Sequence, residues 1–244
     1  MQRKTVGSWR SRLSEPIGAL HDNHPHLGPV IFTAAALFFF AQIYVAWVFQ
    51  LPYNLIHNTI SDLGNTGCFA APYPDVCSPR HTIMNLAFVA LGVVMTCGSA
   101  LLYHEFSLRK PSERRWAAVG FWCMALAGLG AMVVGLCPEN RNIDVHKAGA
   151  AFAIGVGNLG IFVLGASLTK LPEAMRRYML VFTTISLTAL LLFAFEKYFG
   201  IGEGTMERIA AYPEIVWLVT FGLYVWHYHP KRDDEPIDVA RSSW

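Results

Sequence analysis

The stretch LGPVIFTAAALFFFAQIYVAWVFQL, Leu27 to Leu51, holds 25 residues and not one charge. A hydrocarbon core of about 30 Å is crossed by roughly 20 helical residues at about 1.5 Å each. Backbone polar groups cannot stay unpaired in lipid, and the alternation of a barrel strand is absent, so the stretch reads as a membrane helix. It is too long, and follows too much polar chain, to be a cleaved signal peptide. Five runs of the same kind follow at 82–103, 116–137, 148–169, 178–195 and 209–226, the last interrupted only by Pro213 and Glu214. The expected fold is all-α, an integral membrane bundle of six helices over 27–228, with segment 1–26 before it and a tail 229–244 after it.

Composition agrees. Of 244 residues, 54% are apolar and 15% charged, against about 45–50% and about 25% in an average soluble domain. That excludes a disordered chain and leaves a soluble globule with more apolar surface than it can hide. A net charge of +2 gives no electrostatic footprint for nucleic acid. The basic residues orient the bundle. Arg3, Lys4, Arg10, Arg12, Arg109, Lys110, Arg114, Arg115, Lys170, Arg176, Arg177, Lys231, Arg232 and Arg241 fall on one side. Only Arg80, Arg141, Lys147, Lys197 and Arg208 fall on the other. The positive-inside rule then places both termini in the cytoplasm and makes the chain a multi-pass protein of the cytoplasmic (plasma) membrane. Before the first span, Trp9, Leu13, Ile17 and Leu20 recur at helical spacing beside Arg10 and Arg12, the pattern of an interfacial helix. Cys68 and Cys77 fall in the first outer loop, an oxidising location, and are expected to form a disulfide. Cys97 and Cys123 read as small apolar packers, and Cys137 is left over.

The scarce polar residues gather on the outer side. The first outer loop reads NLIHNTISDLGN over 54–65, then Arg80, His81 and Asn85 at the head of span two. The second reads CPENRNIDVH over 137–146, and the third holds Glu203, Glu207 and Arg208, with Glu214 in the span that follows. Ionisable groups at membrane depth are costly and face the bundle interior or a water-filled cavity. The three loops therefore predict one outward-facing polar pocket. Asp62, Glu139, His146 and Ser61 are its catalytic candidates, as general acids and bases or as a serine nucleophile with its base. Arg80, Asn85, Glu207, Arg208 and Glu214 are its substrate-binding candidates, with Arg208 suited to an anionic group. His81, His146 and Asp62 are alternatively the ligands of a divalent metal such as zinc. The same residues also read as solvated loop groups and helix caps.

The order Ile60-Ser61-Asp62-Leu63-Gly64 after span one, Asn85 opening span two, Pro138-Glu139 through His146 between spans three and four, and Gly202-Glu203-Gly204 with Glu207-Arg208 before span six resembles the bacterial and archaeal family called domain of unknown function 998. That likeness covers roughly 28–228 and implies a six-span fold without an established activity. The Ser-Asp-x-Gly segment, the Asn and the His are more distantly similar to the Frag1/DRAM/Sfk1 family, which implies cytoplasmic termini and a link to membrane-lipid organisation. The expected function is binding or processing of a lipid or lipid-linked molecule, by hydrolysis or group transfer if catalytic. The alternatives are an ion- or proton-coupled transporter, with Glu214 and Glu196 as relay groups, and a non-catalytic assembly protein. Membrane lipids are the expected partners, and a homo-oligomer is left open.

Overall fold

The computed structural model describes residues 17–20, 22–70, 72, 75–106 and 111–228. Of the expected interfacial helix, Trp9 and Leu13 lie outside the described residues, as does the tail 229–244, while residues 17–20, with Ile17 and Leu20, are helical. Among the described residues the fold is carried by α1 (Leu27–Thr33), α2 (Ala36–Trp47), α3 (His81–Phe106), α4 (Pro111–Leu136), α5 (Ile143–Ser167), α6 (Glu173–Ala194) and α7 (Glu203–Tyr228). A single 3-10 turn spans Ser61–Gly64, and no strand occurs among the described residues. Taken together, α1 and α2 make one membrane-length element, Leu27–Trp47, so six elements are long and apolar enough to span a membrane.

The helices start ahead of the uncharged runs. Glu113, Asp144, Glu173 and Glu203 lie in the first turns of α4 to α7, where a carboxylate meets the positive end of the helix dipole. The first run is broken at residues 34 and 35. Thr33 is the last residue of α1, and its hydroxyl bonds back to Pro29 O at 2.9 Å. Pro213, by contrast, does not end α7, which runs through it. Pro213 lacks the N–H of a regular turn, and α6 packs around it: Tyr178 Oη donates to Pro213 O at 2.9 Å, and Ser186 Oγ donates to Ala210 O.

Successive helices pack as neighbours from α3 to α7, and α1 closes the bundle against α3 and α7. Glycines set the close crossings. A Cβ on Gly92 of α3 would lie 2.3 Å from Gly128 O of α4, and one on Gly128 would lie 2.5 Å from Gly92 O. Bare backbone on both sides lets two membrane helices approach this closely. The core is aromatic: Phe32, Phe121, Trp217 and Phe221 are all buried, and the Trp217 and Phe221 rings stack at 4.7 Å. Large apolar side chains also cover the outside. Leu37, Phe40 and Ile43 of α2 are about two-thirds exposed (67%, 67% and 68%), and Trp47 is 81% exposed. Such a stripe would be a liability in water and is the expected surface of a bundle in lipid.

Candidate functional site

Loop residues 48–70 and 75–80, 137–142 and 195–202 gather at one end of the bundle, and their contacts build the site. The first loop closes on the Cys68–Cys77 disulfide. Upstream, Thr59-Ile60-Ser61-Asp62 folds as a reciprocal cap. Asp62 N donates to Thr59 Oγ1 at 3.0 Å, and Thr59 N donates to Asp62 Oδ2 at 3.0 Å. This capping box fixes the turn that presents Ser61. Asn58 Nδ2 adds a second donor to Asp62 Oδ2 at 3.1 Å.

Arg208 holds this loop to α7. Its Nη1 donates to Leu55 O, Asn58 O and Gly204 O at 3.0, 2.8 and 2.7 Å. Its Nη2 donates to Tyr53 Oη. The helix start fits closely against the loop, since a Cβ on Gly204 would lie 2.1 Å from Asn58 O. The expected role of Arg208 as an anion holder is thus not the one its contacts serve: backbone carbonyls occupy its guanidinium.

Three elements meet at Ser61. Its Oγ lies 2.9 Å from His146 Nε2, at the start of α5. The other imidazole nitrogen, Nδ1, lies 2.9 Å from Cys137 O. A carbonyl only accepts, so Nδ1 carries the proton and Nε2 is free to accept from Ser61. Glu207 Oε1 lies 3.2 Å from Ser61 Oγ, and Ile60 N donates to Glu207 Oε2. Beside them Glu139 accepts from Asn65 Nδ2 at 2.9 Å. Burial first, then the charges of Asp62 and Glu207 and a hydrogen bond with Asp62, push the Glu139 carboxyl up to about 8. Near neutral pH it is an acid that can donate, a state that burial and a like-charged neighbour produce together.

These groups line one end of a cavity of about 540 Å³, within the usual range for a small-molecule site. Asp62, Glu139, Glu203 and Glu207 share the polar wall with Ser61 and His146. Apolar side chains also line it: Ala150, Ala151 and Ile154 of α5, Leu190, Phe193 and Ala194 of α6, and Ala210 of α7. Nothing marked that half beforehand except the small residues Ala150, Ala151 and Ala210, which leave room beside longer neighbours. His57 and Lys147 also line the cavity.

Other candidates lie elsewhere. Arg80 is exposed and does not line the cavity. Asn85 Nδ2 donates to Gly64 O at 2.9 Å and braces the end of the 3-10 turn. His81 Nδ1 contacts Ser78 O at 2.9 Å, at the head of α3. The structure therefore does not assemble His81, His146 and Asp62 as metal ligands, and no group of three or more His, Cys, Asp or Glu suited to a metal occurs among the described residues. Glu214 lies deeper, in α7. Asn142 caps α5, accepting from Val145 N at 3.2 Å.

Comparison with known proteins adds one finding. The model of a family described as protein of unknown function (DUF998) matches residues 33–224. The chain belongs to that family. The DUF998 match takes in every residue of the site, from Tyr53 in the first loop to Glu214 in α7. No curated protein and no solved structure matches the chain.

Proposed function

We propose that this protein binds a lipid or lipid-linked amphiphile in the cavity and transfers or hydrolyses a group at its headgroup linkage, with Ser61 as nucleophile. The observation that carries this reading is the Ser61 Oγ–His146 Nε2 contact of 2.9 Å in the wall of a cavity whose lining combines acids and histidines with apolar residues of α5 and α6. An amphiphile needs both halves, and a bundle set in lipid meets such molecules laterally.

The step is that of an activated serine. Ser61 Oγ bonds to the electrophilic carbon or phosphorus while its proton passes to His146 Nε2. The bond to the leaving group breaks, and the leaving group takes that proton. Water or a second hydroxyl then releases Ser61 by the same steps in reverse. Cys137 O keeps the imidazole in the accepting tautomer. Asp62 acts as a positioning residue through the turn, and the Glu139 acid keeps a proton beside it. The excess of lysine and arginine on the opposite side of the bundle supports an extracytoplasmic site with cytoplasmic termini.

Purified protein in nanodiscs of mixed membrane lipids, with products read by mass spectrometry, tests this. Ser61→Ala is expected to abolish turnover, and His146→Ala to lower it by about 10²–10⁴-fold. Unchanged turnover in both variants would overturn the assignment.

A further inference from the structure

A second, smaller cavity of about 60 Å³ adjoins the first. Ser61 and Glu207 stand in the walls of both. From there it reaches Glu214, seven residues further along α7, or about 10 Å at the helical rise. Its volume is that of a few water molecules, since about 10–15 Å³ of this measure holds one, and Ser61, Glu207 and Glu214 are the polar groups in an otherwise apolar lining.

Glu214 is 4% exposed and Asn158, facing it from α5, is 0% exposed. Asn158 Nδ2 donates to Glu214 Oε2 at 3.3 Å and to Ile154 O at 2.9 Å. Glu214 Oε1 and Asn158 Oδ1 have no hydrogen-bond partner among the described residues. The packing is shaped to the carboxyl: a Cβ on Gly157 would lie 1.8 Å from Glu214 Oε1. The other ionisable groups near this level are Glu207 and Arg208 on α7, Tyr212 and, on α6, Tyr178. The guanidinium of Arg208 is held by the first loop, and the two phenols are given to Gln42 Oε1 and Pro213 O. An acceptor left bare at membrane depth is costly, and a proton on Oε1 converts it into a donor.

The Ser61 chain has the matching arithmetic. His146 Nε2 and Glu207 Oε1 both face Ser61 Oγ, which has one proton to give. Both contacts become hydrogen bonds only when one further proton sits on Nε2 or on Glu207.

We propose that Glu214 is a proton-binding site inside the membrane, reached by water through the smaller cavity, and that it exchanges its proton with the His146–Ser61–Glu207 chain. The proposal stands independently of any lipid turnover.

Infrared spectroscopy of the protein in nanodiscs tests it on transfer to deuterated water. The expected result is a protonated-carboxyl band that Glu214→Gln removes, or that Glu214→Asp displaces should the glutamine variant not fold. The band should exchange with solvent deuterium, and Ala211→Leu, which fills the passage, should slow that exchange roughly tenfold or more. Absence of a band assignable to Glu214 overturns the proposal. So does a band that never exchanges, or exchange that Ala211→Leu leaves unchanged.

Discussion

At the scale of single residues, the site is governed by who holds each proton and each charge. Glu139 is the clearest case, because its ordinary value of 4.5 is pushed up to about 8 by burial and by Asp62 and Glu207. Between those two pH values the folded protein binds a proton that the unfolded chain releases. Stability therefore falls as pH rises from about 4.5 to about 8 and levels off above that. Thermal unfolding in detergent across that range should show the decline in the native protein, and Glu139→Gln should make it shallower. An equally steep decline in the variant would show that other groups carry the dependence. Arg208 teaches the opposite lesson. A sequence presents it as a free cation beside acids, whereas three backbone carbonyls and Tyr53 Oη use its donors. Backbone acceptors leave no mark in a sequence, so neither this role nor the Cys137 O contact that sets the His146 tautomer was legible there.

At the scale of elements, the spans were legible because about 20 uncharged apolar residues have few other fates. Their breaks were not. The first span breaks just after Thr33, whose hydroxyl bonds Pro29 O, whereas the last runs through Pro213, beside which Tyr178 and Ser186 of α6 donate to Pro213 O and Ala210 O. The small residues of the spans read equally as packing sites, yet the structure separates them. Gly92 meets the backbone of α4, whereas a Cβ on Gly155 would meet only Leu190 Cδ2 at 3.4 Å. Gly92→Ala should lower stability by about 1–3 kcal/mol, the usual range for overpacking, and Gly155→Ala should change it by less than about 0.5 kcal/mol. Chemical or thermal unfolding in detergent checks the pair, and equal effects would contradict the crossing described for α3 and α4.

At the scale of the whole molecule, a bundle with apolar flanks brings three loops to one end and leaves a cavity between α5, α6 and α7. The polar half of that cavity was legible as groups of scarce charges: Ser61, Asp62, Glu139, His146 and Glu207 all stand there. Its apolar half was hidden, because Ala150, Ile154, Leu190 and Phe193 look like any other span residues until the helices are placed. Membership of DUF998 extends the fold to a family without assigning it an activity, so the central claim rests on Ser61 and its base. The most direct test is covalent labelling with a lipid-soluble fluorophosphonate, followed by peptide mass spectrometry. The account predicts a single adduct on Ser61, lost in Ser61→Ala and formed about 10²-fold more slowly or worse in His146→Ala. No adduct on Ser61, or labelling at an unchanged rate without His146, would contradict it.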